Sequence, residues 1–181
     1  VSYQKKDGKW ITLAENIADN TYQWDASKLV NGEYIIKIIS SDGMSVSEEA
    51  LNIFIDNIAP RVSFSGPSSA NTFKLAFNGE ASDDFSRIQY VEYSFDNTNW
   101  YKTSITKGYQ TRNVNFSFRP RFSQDGDYKI MTRATDGAGN IAYSEPKNIT
   151  IDTTPPRIGS ILITSGALAL FPDQTGAIKL F

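Results

Sequence analysis

Asp125-Gly126-Asp127-Tyr128-Lys129-Ile130-Met131-Thr132-Arg133-Ala134-Thr135-Asp136-Gly137-Ala138-Gly139-Asn140 is the stretch on which the reading of this chain turns. Tyr128, Ile130, Thr132 and Ala134 alternate with Lys129, Met131, Arg133 and Thr135, the two-residue period of a strand with one buried face. Turn residues bound it, Asp125-Gly126 before and Asp136-Gly137 after. An earlier copy, Asn31-Gly32-Glu33-Tyr34-Ile35-Ile36-Lys37-Ile38-Ile39-Ser40-Ser41-Asp42-Gly43, has the same frame. The copies run on to Ile55-Asp56-Asn57-Ile58-Ala59-Pro60 and to Ile151-Asp152-Thr153-Thr154-Pro155-Pro156. Such self-similarity marks a repeated structural unit.

Outward from the two copies, Val1 to Trp10 aligns without a gap on Val91 to Trp100, 90 residues later. In both segments the alternation stops at Asp7-Gly8 or Asp96-Asn97 and resumes at the Trp, as in a hairpin. Thr21-Tyr22-Gln23-Trp24-Asp25 matches Asn113-Val114-Asn115-Phe116-Ser117-Phe118, a half-buried strand. A last strand carries Leu51, Ile53 and Ile55, or Ile149 and Ile151. The displacement grows to 94 at Tyr34/Tyr128 and 96 at Asp56/Asp152, so the insertions fall in turns. Pro60 is followed by Val62-Ser63-Phe64-Ser65-Gly66 and Thr72-Phe73-Lys74-Leu75-Ala76-Phe77. Counterparts, Arg157 to Ile161 and Gly176 to Phe181, follow Pro156. No helical period of useful length appears.

The expected fold is all-β, with one complete and two partial units. Residues 1–59 form a partial unit and 156–181 another holding two strands. Residues 60–155 form a complete unit with strands A (61–66), B (72–78), C (88–95), C′ (99–104), E (113–119), F (127–135) and G (146–152). About seven strands with turns every ~8–12 residues are the expectation for an immunoglobulin-like sandwich.

The Asn31-Gly32-Glu33-Tyr34 and Asp125-Gly126-Asp127-Tyr128 turns, Thr135-Asp136-Gly137-Ala138-Gly139-Asn140, the Asp152-to-Pro156 joint and Ala81-Ser82-Asp83-Asp84-Phe85-Ser86-Arg87-Ile88 carry a resemblance. The chain resembles the bacterial immunoglobulin-like and fibronectin type III-like tandem repeats of large secreted and cell-surface proteins. The resemblance implies a scaffold, in stalks, spacers, surface layers or adhesins, and names no activity.

Composition narrows the function classes. The formal charge of −2 and pI near 5.2 offer no field for polyphosphate, so neither nucleic acid nor anionic membrane is an expected partner. No apolar run approaches the roughly 20 residues that span a bilayer. The chain has no cysteine and no histidine, which removes thiolate ligands, disulfides and triads built on either residue. Gly137-Ala138-Gly139 follows a strand and opens no helix, so it is no phosphate loop. Glu48-Glu49 and Asp83-Asp84 are neighbours in polar stretches, a pattern of solvated acids rather than of a catalytic pair facing across a cleft. Trp10/Trp100 and Tyr34/Tyr128 recur at framework positions and read as packing. Tyr101 and Tyr109 have no counterpart and are the better candidates for an exposed glycan-stacking patch.

One site hypothesis follows from the topology that the resemblance implies. The B–C and F–G loops of such a sandwich lie where the preceding domain joins, so Asp83, Asp84, Asp136 and Asn140 are expected to approach Asp56 and Asn57. These are hard oxygen ligands of the kind calcium takes, and a bridging ion would stiffen the joint. The competing reading gives these residues turns and caps alone. No other cofactor is implied.

The expected role is a non-enzymatic spacer or repeating unit of a fibre or surface layer, extracellular or on the cell surface. The open end units are expected to be completed by neighbouring immunoglobulin-like domains, of a longer chain or, by head-to-tail strand complementation, of an adjacent one. The alternatives are an adhesin or carbohydrate-binding module that meets glycans or a host surface, and an accessory domain of a larger secreted hydrolase.

Overall fold

The computed structural model describes residues 1–19 and 21–157. All regular structure among them is β. In the first unit, β1 (Ser2–Lys5), β2 (Ile11–Thr12), β3 (Gly32–Ser41) and β4 (Val46–Ile55) form one antiparallel sheet in the order β2-β1-β3-β4. The β3–β4 turn is held by Asp42, whose Oδ1 accepts the N–H groups of Met44 and Ser45. Residues 21–25, expected as a strand, pair with nothing. Trp24 instead packs on the Tyr3 ring at 4.7 Å, an apolar contact without a ladder.

The middle unit is a sandwich. Its strands are β5 (Arg61–Ser65), β6 (Ser69–Ala70), β7 (Phe77–Ser82), β8 (Ile88–Ser94), β9 (Tyr101–Lys102), β10 (Ser104–Lys107), β11 (Asn113–Phe118), β12 (Gly126–Asp136), β13 (Ile141–Tyr143) and β14 (Lys147–Ile151). One sheet runs β10-β11-β7-β5, the other β6-β14-β12-β8-β9 with β13 also on β12. The chain changes sheets between β5 and β6 and again at Thr103, whose N–H and hydroxyl both donate to Val91 O. The expected third unit, 156–181, lies almost wholly outside the described residues.

Phe77, Ala81, Val114, Phe116 and Phe118 from one sheet meet Val91, Ile130, Ala134, Ile149 and Ile151 from the other. Each large side chain so buried contributes about 1.5–3 kcal/mol. The strand expected over 72–78 begins only at Phe77, opposite Phe118, and continues through Asn78-Gly79 to Ser82. Asn-Gly usually turns a chain. Here the glycine is needed for space, because a Cβ at position 79 would overlap the Phe116 ring and the Ser63 carbonyl oxygen.

Two tyrosine corners repeat. Tyr34 Oη donates to Val30 O at 2.7 Å and Tyr128 Oη to Gln124 O at 2.8 Å. The tryptophans differ from expectation: neither is core. Trp10 is 43% exposed and Trp100 partly exposed. Lys37 Nζ lies 4.5 Å from the Trp10 ring centroid, and the Arg133 guanidinium 4.3 Å from that of Trp100. These cations occupy matching places in the sheets though not in the repeat. Lys37 pairs with Ser2 and Arg133 with Glu92, positions that correspond, yet Lys37 is three residues past its corner tyrosine and Arg133 five. An even slip keeps the same residues facing out.

The first sheet's inner face is half covered. Tyr34 and Ile55 are buried, whereas Ile38 is 52% exposed; Thr132, its counterpart in the repeat, and Ala134, its counterpart in the sheet, are both 0% exposed.

Gly79→Ala should destabilise the protein by about 1–3 kcal/mol, the usual cost of overpacking. A lowered urea midpoint would show it, with Glu80→Ala at the adjoining exposed position close to neutral.

Candidate metal centre

Three aspartates stand at strand ends. Asp56 follows β4, Asp83 follows β7, and Asp136 is the last residue of β12. Each turns the chain with its own Oδ1. That of Asp56 accepts Ile58 N at 3.1 Å and Asn31 Nδ2 at 3.0 Å. That of Asp83 accepts Phe85 N at 2.7 Å and Ser86 N at 2.6 Å. That of Asp136 accepts Ala138 N at 2.8 Å and Asn140 N at 2.9 Å. The capping roles expected of Asp are therefore filled, but by only one oxygen of each.

The three carboxylates come together. Asp56, Asp83 and Asp136 are 6%, 4% and 0% exposed. One carboxylate oxygen from each lies within 4.8 Å of those from the other two. Asp56 Oδ2 and Asp83 Oδ2 are buried with no hydrogen-bond partner. Asp136 Oδ2 meets Asn140 Nδ2 at 2.9 Å. Burying an unpaired carboxylate oxygen is costly. Two unit charges at such a separation repel by about 3–4 kcal/mol at an effective dielectric constant near 20. A hard cation 2.3–2.6 Å from each oxygen would turn that repulsion into attraction.

Of the six residues expected at the joint, the structure brings together Asp56, Asp83, Asp136 and Asn140. Asp84 is exposed and forked onto Arg61, with Nη2–Oδ2 at 2.8 Å. Asn57 is also exposed, and its Nδ2 donates to Ala26 O and Leu29 O. Both face away from the cluster because neighbours on an extended chain point to opposite sides. Asn31, which braces Asp56 and accepts Asn57 N with its Oδ1, escaped the sequence reading. Its signal was alignment with Asp125 of the second copy. Phe54 and Phe85 close the joint from either side, their ring centroids 6.2 Å apart.

Residues 67–153 match the family model described as a bacterial Ig-like domain. The middle unit is a bacterial Ig-like domain. No curated protein matches the chain. Domains of this family are generally non-enzymatic structural or accessory parts and often occur in surface proteins. No helix among the described residues is long and apolar enough to cross a membrane. Asp83, Asp136 and Asn140 belong to the Ig-like domain, whereas Asp56 precedes the matched segment, so the cluster straddles the domain's border.

The domain's other end repeats the frame with different chemistry. Asp152 stands where Asp56 does and accepts Thr154 N with Oδ1. Asp125 replaces Asn31. Its Oδ1 accepts Thr153 Oγ1 at 2.7 Å and Thr153 N at 3.0 Å, and its Oδ2 accepts Thr154 Oγ1. The Thr153 hydroxyl, then the Thr153 N–H, hold the Asp125 carboxyl below its ordinary range. A carboxyl depressed in the folded state stabilises above its unfolded pKa and loses that contribution as pH falls through the folded one. Asp125→Ala should therefore melt below the wild type at neutral pH, and melting curves taken at decreasing pH below about 4 should converge.

Proposed function

We propose that this chain is a non-enzymatic structural segment of an extracellular or cell-surface protein, a spacer or repeating unit whose inter-domain joint is stiffened by a divalent cation. Calcium is the ion that the ligands suit, being three carboxylates with backbone carbonyls close by and no nitrogen or sulfur donor. The observation that carries this reading is the buried cluster of Asp56, Asp83 and Asp136, two of whose oxygens lack any partner. A joint of this kind needs residues from both sides, so an ion held there resists bending between the units. Pro60, buried at the start of the middle unit, restricts the same link.

Neighbouring Ig-like units, of the same chain or an adjacent one, are the proposed partners. The support is the inner face of the first sheet, where Ile38 and Leu51 are exposed and the middle unit's counterpart strands lie beneath β7 and β11. A second reading, a glycan-binding segment, is supported by the exposure of Tyr101 and Tyr109. Loss of glycan-array binding in Tyr101→Ala or Tyr109→Ala would carry it.

Calcium should raise the melting temperature, with stabilisation of about 2.7 kcal/mol when free calcium is a hundred times the dissociation constant. Asp56→Asn and Asp83→Asn should abolish the response and, by putting an amide nitrogen where a carboxylate oxygen has no partner, should melt no lower than the wild type in EDTA. A wild type indifferent to millimolar calcium would overturn the reading.

A further inference from the structure

Asn140 lies in the loop after β12, and its side chain crosses the joint. Nδ2 donates to Asp56 O at 3.0 Å and Ile58 O at 3.1 Å, both on the first unit's side, and to Asp136 Oδ2 at 2.9 Å within its own domain. Three acceptors share two hydrogens. Turning the amide over would set Oδ1 against three oxygens, none of which can donate, so the orientation is dictated by the site. The loop itself does not need this side chain for its shape, because Asn140 N donates to Asp136 Oδ1 and Asn140 O accepts Asp136 N.

We infer that Asn140 is the latch of the joint, a positioning residue that binds the first unit's exit segment to the Ig-like domain by its side-chain amide, with or without an ion. The latch and the cation are separate devices that meet on one carboxylate, Asp136. The amide supplies donors between the Asp136 carboxylate and two carbonyls of the first unit, and spares Asp136 Oδ2 the lack of a partner found at Asp56 and Asp83. The inference goes beyond the cation reading and does not need it. The hydrogen bonds alone define the latch, and its loss is to be seen in the absence of metal.

Hydrogen exchange of the full chain separates the two. The Asn57 and Ile58 amides, bonded to Asn31 Oδ1 and Asp56 Oδ1, report loosening of the exit segment that the latch holds through the Asp56 and Ile58 carbonyls. Amides of β12 report the domain core. In EDTA, Asn140→Ala should speed exchange at Asn57 and Ile58 by roughly tenfold, the loss of one or two net hydrogen bonds, and leave the β12 core unchanged. Asn140→Asp, which keeps the volume but adds a fourth carboxylate, should speed it further. Added calcium should slow it again in that variant. If both variants exchange like the wild type in EDTA, the latch is overturned, whatever calcium does. If they open the joint while the wild type ignores calcium, the latch stands and the cation reading falls.

Discussion

Strand β12 is the member that the rest of the molecule cannot do without. It pairs with β8 on one side, and with β14 and then β13 on the other. Ile130, Thr132 and Ala134 are shut in completely beneath the facing sheet. A strand bonded on both edges and packed on its inner face has no slack, so the residues at its ends are placed by the core and not by their loops. Asp136 inherits its position in this way, and Asp83 does so at the end of β7. Two of the three strand ends that meet at the joint are thus fixed by the sandwich core.

Much of this was legible in the sequence, because the period of two survives in β12, β11 and β14 and the copies agree on where the turns fall. The expected strand over 72–78 failed for a specific reason. Phe73, Leu75 and Phe77 alternate correctly, but backbone pairing needs a partner, and the partner ends at Phe118. Asn78-Gly79 resembles a turn only until the Phe116 ring is seen to occupy the space of the missing Cβ. The Trp24 segment failed differently: its inward side chains pack, yet no strand lies beside it to complete a ladder.

The candidate site was half readable. Topology brings the loops after β7 and β12 to the preceding joint, which is enough to nominate Asp83 or Asp84 and Asp136 with Asn140. It does not say which of two adjacent aspartates turns inward; that depends on the register of β7 against its neighbours. The tryptophans illustrate the same limit. Sequence alignment sets Lys37 against Met131, whereas sheet register sets it against Arg133, so a cation over each indole was invisible until the strands were paired.

One connection at the sandwich edge bears on how such a domain carries load. β6 runs parallel to β14, and their bonds, Thr150 N to Ser68 O and Asp152 N to Ala70 O, tie the domain's first segment to its last. The chain enters at Pro60 and leaves past Ile151, at opposite ends of the sandwich. Once β5 has parted from β7, tension along the polypeptide would slide β6 and β14 past each other instead of peeling them apart. Bonds crossing that edge would then be strained together, so rupture would demand their simultaneous loss.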